Sequence, residues 1–288
     1  MPDIVFAPKV FDRTLIRRHL ERRPQHYDDF VIPLVLADLE ERLGTVTRDF
    51  GQALIMAPDA SVLPGTGRSA NGPFSYERVS TVLPVDGMPL VDPEVLDLPR
   101  RGYDLIVSIF DLDVVDDVPG FLARARAHLR GDGLFLAAAV GGDSLTELRE
   151  AFLTADAEVS GGAFLRVAPF IPLSDAAGLL QRAGLALPVS DVETHTVRYE
   201  TPLSLMRELK ALGASNPLAD RPHKLATRSL IRAASAAYET LAADSDGRVR
   251  ATLEIVWMSG WAPHASQQKP LKPGSAEISL SKVLKTKG

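Results

Sequence analysis

Three groups of residues carry side chains whose type and spacing could do chemistry. Asp113, Asp116 and Asp117 follow the apolar run Leu105, Ile106, Val107 and Ile109. Carboxylates gathered at a strand end make an acidic mouth, which opposes a carboxylate-bearing ligand and favours a cationic one. Gly141, Gly142 and Asp143 follow a second apolar run over 134–140, where the two glycines offer a mouth lined by main chain. Asp143 is placed to cap a helix expected over 144–152, with Thr146 and Glu147 in its first turn and Arg149 beyond. Trp261, His264 and Gln267 follow the last apolar strand and either reach a cleft or belong to a structureless tail.

Two further signals point toward a nucleotide-like ligand. Asp86 and Asp92 fall near expected strand ends, where a carboxylate holds a ribose or an adenine amino group, or else forms a turn beside Gly or Pro. Gly65-Thr66-Gly67 has the look of a phosphate loop, but a GxG without strand and helix at the right offsets reads better as a turn.

These groups need a parallel sheet to position them. The run over 103–140 reads as strand, helix, strand: Pro119 suits a helix start, and Phe121, Leu122, Ala125 and Leu129 fall at helical spacing. Gly131-Asp132-Gly133 is expected to close that helix. Two buried strands joined by a crossover helix make a parallel βαβ unit, and ligands sit outside the carboxyl ends of such strands. That points to residues 110–113, beginning at Phe110, and to 141–143.

Upstream, helices are expected over 9–23 and 28–43, with Pro33 tolerable in the first turn of the second. Arg13 and Arg17, and Arg18 and Arg22, put like charges on shared helix faces, which need solvent or an acidic partner. ALIMA over 53–57 is the expected first strand. A glycine-rich turn and a helix should follow it in a nucleotide-binding domain, but three glycines and three prolines over 58–73 rule out a regular helix. A loop is expected there instead, filling the space beyond the first strand. Strands are expected over 78–83 and 88–91, then helices over 175–183, 203–212 and 224–241, and a last strand over 251–261. The pair 203–212 and 224–241 reads as an insertion or lid.

Composition excludes several classes. With 288 residues and 45% hydrophobic content the chain buries a full core. A formal net charge of -5 argues against a nucleic-acid partner. The absence of cysteine removes disulfides, a thiol nucleophile and thiolate metal sites, and no metal site is expected. No apolar run reaches the ~20 residues of a membrane-spanning helix. Charged residues and Pro8 interrupt the N-terminus, so no signal peptide is expected and a cytoplasmic location is.

The pieces FDRTLIRRHLERR, DDFVIPLVLADLEERL, LFLAAAVGGDSLTELREAF, GGAFLRVAPFIPLSDAAGLLQRAG, LMRELKALGASNPL and WAPHASQQKPLKPGSAEISL carry a resemblance over nearly the whole chain. They resemble the methyltransferase-like family of the mitochondrial respiratory complex I assembly factor, a protein-arginine hydroxylase, and its alphaproteobacterial relatives. The resemblance implies an α/β class I S-adenosylmethionine (SAM) methyltransferase fold, Rossmann-like, with seven strands and the last one antiparallel. It further implies a degenerate first half, an N-terminal helical arm (1–50), a core (51–200), a helical insertion between late strands (201–250), and a last strand with tail (251–288). SAM is the cofactor it implies, if there is one, and a respiratory-complex subunit the protein partner.

The same resemblance marks departures. SAM-binding members show a D-L-G-C-G-x-G-like turn where this chain reads Leu54-Ile55-Met56-Ala57-Pro58-Asp59-Ala60, and Pro58 removes a donor. An H-W-x-N-D-like run is replaced by Asp113-Val114-Val115-Asp116-Asp117. Candidate cofactor contacts are therefore Met56, Asp59, Asp86, Asp92 and Phe110. Candidate partner contacts are Asp113, Asp116, Gly141, Gly142, Asp143, Glu147, Arg149, Trp261, His264 and Gln267. Two functions stay open: an enzyme that methylates or hydroxylates a protein, with Asp113, Asp116 or Asp117 orienting a guanidinium by bidentate hydrogen bonds, and a non-catalytic assembly factor.

Overall fold

A computed structural model describes residues 9–27, 29–222 and 225–268. In chain order it contains α1 (Arg13–Glu21), α2 (Val31–Gly44), β1 (Ala53–Ala57), a 3-10 turn (Ala60–Val62), β2 (Thr66–Ser69), β3 (Gly72–Ser80), β4 (Tyr103–Ile109) and a second 3-10 turn (Asp111–Asp113). There follow α3 (Val118–His128), β5 (Leu129–Val140), α4 (Thr146–Val159), α5 (Leu173–Arg182), β6 (Ala186–Tyr199), α6 (Pro202–Ala211), α7 (Arg228–Ala242) and β7 (Val249–Trp261).

The seven strands form one sheet in the order β2-β3-β1-β4-β5-β7-β6. β3, β1, β4 and β5 are parallel neighbours, and β7 runs antiparallel between β5 and β6. That reversed β7 beside a parallel half is the class I SAM-methyltransferase arrangement.

Alternation along β1 sends its residues to two cores. Leu54 and Met56 join Ile106, Phe121, Phe135 and Leu180 on the face covered by α3 and α5. Ala53, Ile55 and Ala57 join Leu39, Leu43, Val107 and Trp257 on the face covered by α2. Both faces being covered is why ALIMA is apolar throughout. α6 and α7 lie between β6 and β7 in the chain, and Leu205 and Tyr238 pack with Leu148 of α4 and Val249 of β7. α6 starts with a reciprocal capping box between Thr201 and Ser204 followed by Pro202.

Several expectations are corrected. Gly131-Asp132-Gly133 does not close α3, which ends at His128; the three residues lie inside β5, where the β4 register slips between Tyr103↔Leu129 and Leu105↔Leu134. Gly133 is needed because a Cβ there would sit 2.7 Å from the Tyr103 carbonyl oxygen. The run over 58–73 is not a loop filling the space beyond β1. Its second half forms a hairpin, β2 with β3, on the sheet edge, and a Cβ on Gly67 would meet the Phe74 ring at 2.7 Å. The strand expected over 78–83 is the end of this longer β3, and the one over 88–91 shrinks to a single parallel bridge, Ser80↔Leu90. Among the described residues no α-helix connects β1 to β3 or β3 to β4. Residues 269–288, most of the expected tail, lie outside the described residues, as do the first eight, Asp28 and Lys224.

Candidate functional site

Parallel strands end at Ala57, Ser80, Ile109 and Val140, and any ligand of this sheet class is met beyond those ends. At β1 the chain turns back on itself. Thr81 N–H donates to the Ala57 carbonyl (3.0 Å), and Val82 and Leu83 N–H donate to that of Pro58 (3.2 and 2.7 Å). Asp59, 5% exposed, caps the first 3-10 turn by accepting from Ser61 N–H (2.9 Å) and Oγ (2.6 Å). Its other oxygen is ion-paired with Arg23, whose Nη1 donates to the Tyr27 hydroxyl at 2.9 Å. Burial pushes the Asp59 pKa up, yet the Ser61 hydrogen bonds and the Arg23 guanidinium together hold it below the usual carboxylate value. Ala60 N–H goes to Ser80 Oγ (3.3 Å) and Leu63 N–H to the Ala60 carbonyl (3.2 Å). Three main-chain donors after β1, those of Ala60, Ser61 and Leu63, are thus bound within the chain.

The carboxylates after β4 also face inward. Phe110 sits at φ 63 and donates its N–H to Ala138 (2.8 Å), starting a tight turn. Asp111 is fully buried, with Thr81 Oγ1 (2.5 Å) and Ser108 Oγ (2.7 Å) donating to its two oxygens. Burial raises its pKa to about 7, against the two hydroxyls that favour the anion. Asp113 accepts from Val140 N–H with both oxygens (3.1 Å each), and burial lifts it well above its ordinary value, with Asp111 adding to the rise. Asp116 accepts from the N–H groups of Val10 and Phe11 (2.9 Å each), while its own N–H donates to Glu94 (2.6 Å). Asp117 caps α3 through Gly120 N–H (2.9 Å). Asp113 therefore holds backbone with both oxygens and Asp116 with one, while Asp117 is paired with Arg124 at 3.4 Å.

The group after β5 is committed to β7. Gly141 N–H donates to the Glu254 carbonyl (2.8 Å), and a Cβ on Gly141 would lie 2.6 Å from Glu254 Cβ. Gly142 lies against Pro172. Asp143 is exposed and does not cap α4, which begins after Leu145 in a left-handed conformation (φ 55). Asp143 N–H donates to Glu254 Oε2 (2.9 Å), and its carbonyl accepts from Thr146 Oγ1 (2.9 Å). Glu147 accepts from Thr252 Oγ1 (2.6 Å) and N–H (3.2 Å), and Arg149 makes long contacts of 3.4 and 3.5 Å to Thr146 and Ser144.

Trp261, His264 and Gln267 lie elsewhere. β7 is antiparallel, so its end is at the amino end of the parallel strands, with Trp261 opposite Leu134 and Ile255 opposite Val140. Six residues of strand, about 20 Å, separate the two ends. There Gln267 donates to Asp132 (3.0 Å) and to the Ala262 carbonyl (2.9 Å), His264 Nδ1 meets Ser266 Oγ (2.7 Å), and Arg48 stacks 5.4 Å from the Trp261 ring. The two sets of candidate partner residues are not brought together.

The segment around α1 lies over the carboxyl ends. Phe11 and Ile16 are buried with Val82, Val114, Ala168 and Leu218. Arg13 pairs with Asp92 and, at 3.2 Å, with Glu94. Of the cofactor candidates, then, Met56 is sealed in the core, Asp59 and Asp92 hold arginines of the arm, Phe110 shapes a turn, and Asp86 is exposed in the turn over 85–88. A cavity of about 200 Å³ beside the arm is lined by Arg13, Thr14, Arg17, Thr81 and Val82. A drug-sized ligand takes roughly 300–1,000 Å³. Arg23 and Asp111 were not singled out from sequence. The clustered arginines over 13–22 were the available signal, since like charges on one helix face call for acidic partners.

No family model matches the chain. The mitochondrial arginine-hydroxylase NDUFAF5 of Rattus norvegicus is 31% identical over 288 residues, covering 95% of this chain and 83% of that protein. The chain belongs to this family. The NDUFAF5 protein of Danio rerio is 36% identical over 196 residues, 68% of this chain and 61% of its own length, so that alignment spans less than two thirds of the relative. The malonyl-[acyl-carrier protein] O-methyltransferase of Xylella fastidiosa is 30% identical over 273 residues, 88% of this chain and 89% of that protein. Among solved structures, the YcgJ protein of Bacillus subtilis aligns over 81% of this chain and 99% of its own, at 12% identity and a TM-score of 0.49.

Proposed function

We propose that this NDUFAF5-family protein works as a partner-binding assembly factor in which SAM binding is impaired or lost, and that its partner is a subunit of a respiratory complex. The observation that carries the reading is the arm seated on the carboxyl ends of the sheet, with Arg23 on buried Asp59 where a cofactor turn would lie. SAM needs main-chain donors after β1, where Pro58 offers none and the N–H groups of Ala60, Ser61 and Leu63 are already bonded within the chain. The residues do not fit the cofactor, so no chemical step is routed through it. A location in the cytoplasm belongs to the same proposal.

Calorimetric titration of the full chain with SAM tests this reading. No binding tighter than millimolar, about 4 kcal/mol, is expected. Micromolar binding overturns it and restores the second reading, a SAM-dependent enzyme acting on a protein. The bacterial relative named as an O-methyltransferase, matched over 89% of its length, favours that alternative.

A further inference from the structure

The arm over 9–27 shows what its seat recognises. Four carboxylates grip it: Asp116 takes the N–H groups of Val10 and Phe11, Asp92 and Glu94 take Arg13, and Asp59 takes Arg23. Between them lies an apolar floor of Val82, Val114, Ala168 and Leu218, on which Phe11 and Ile16 rest. A third element closes the seat from the insertion. Asp12 N–H donates to the Pro217 carbonyl (2.9 Å), Ala219 N–H donates to that of Val10 (2.9 Å), and Arg221 pairs with Asp12 at 3.2 Å.

The hold on the arm is charge-rich and small in apolar area. α1 has nine residues, of which Ile16 is buried, and isolated helices shorter than ~12–15 residues are marginal. Phe11 and Ile16 are its buried apolar anchors. Its other holds are backbone hydrogen bonds and ion pairs, of which the solvent-reached Arg13–Asp92 pair weakens with salt and the Arg23–Asp59 pair is buried. If the arm lifts, the seat presents Asp59, Asp92, Glu94 and Asp116 around an apolar floor. Such a surface suits a helix with arginines beside apolar residues, the chemistry of the arm itself.

We infer that this seat is the partner site, and that an arginine-bearing amphipathic segment of a protein partner takes it in exchange for the arm. The inference rests on the partner-binding reading above and names the partner's chemistry.

The test uses the full chain and, as probe, a labelled synthetic peptide of residues 9–27 followed by fluorescence anisotropy. Phe11 and Leu218 form an antiparallel bridge, a spacing a disulfide can span, and the chain has no other cysteine to compete. In the F11C/L218C variant the oxidised form locks the arm shut and the reduced form, with the same side chains, frees it. The reduced form is expected to bind the peptide at least tenfold tighter than the oxidised form. A peptide carrying Arg13→Gln and Arg23→Gln should lose that binding, as should the native peptide in high salt.

Equal binding by the two redox forms, no binding by the reduced form, or undiminished binding of the Gln peptide overturns the inference. SAM titration of the same two forms keeps the two readings apart. If neither SAM nor peptide binds, the seat is wrong and the partner-factor reading survives with another surface. If SAM binds at micromolar concentration, the reading itself fails whatever the peptide does.

Discussion

The two ends of the sheet are built in opposite ways. At the carboxyl end, Asp59, Asp92, Asp113 and Asp116 each hold a guanidinium or a backbone N–H, and about 200 Å³ is left open. At the amino end a cavity of about 500 Å³ opens between Thr45, Arg48, Asp132, Leu187, Trp261 and Gln267. The larger of these two cavities lies where a parallel sheet does not ordinarily place ligands. Polar groups at a strand end mark a site only if they are free to turn outward. Here Asp59 and Asp113 are tied to partners within the chain, while Asp92, though paired with Arg13, stays exposed.

The sharpest way to break this contrast is to remove Arg23. Asp59, 5% exposed with Arg23 in place, would then lose its charge partner in a largely buried setting, which costs up to about 3–5 kcal/mol. Urea denaturation of Arg23→Ala should show that loss, and adding Asp59→Asn should recover most of it by removing the stranded charge. A loss below about 1 kcal/mol would mean the arm is not seated on a buried ion pair, and the carboxyl end would be as loosely built as the amino end.

Asp111 gives the next effect, through pH. Its folded value, about 7, lies above the ordinary 3.8, so between these the folded chain keeps a proton that the unfolded chain releases. This group's contribution is most favourable below about pH 4, declines as pH rises toward 7, and levels off above. Asp113 shifts in the same direction. Asp111→Asn stays neutral and can still bond to Thr81 and Ser108, so it should be more stable than wild type at pH 8 by about 1–3 kcal/mol, and nearly equal to it at pH 4. Denaturation midpoints across pH 4 to 8 check this. A variant that is less stable throughout would mean that the buried anion is needed.

Much of the frame was legible from periodicity. β1 over 53–57, the unit from β4 through α3 to β5, the helix pair and the existence of a last strand follow from apolar runs and caps, whereas the reversal of that strand is what the family resemblance implies. Less of the site was, because its partners are distant in sequence: 36 residues separate Arg23 from Asp59, and 106 separate Val10 from Asp116. A strand-end rule locates Asp113 but not the direction of its carboxyl, which turns back to Val140. Asp143 was read as a cap from its spacing, whereas Leu145 takes the residue before α4 into the left-handed region. The hairpin of β2 and β3 was hidden by glycines and prolines, which exclude helix without announcing strand. Trp261 was misplaced for a different reason: it does follow a strand end, but that strand is antiparallel, so its end lies across the molecule.

The smallest effect belongs to the amino end and completes the comparison. Arg48 is 52% exposed, pairs with Asp132 at 2.7 Å and lies over Trp261, while Asp132 also accepts from Gln267. Solvent reaches the arginine, and Asp132 keeps a donor without it. Arg48→Ala should therefore cost at most about 1 kcal/mol in the same urea measurement. The asymmetry with Arg23 is the point, because both arginines pair with one aspartate near a strand end and differ in burial. A cost at Arg48 as large as that at Arg23 would show that the open end is as tightly built as the filled one, and cavity volume would no longer separate them.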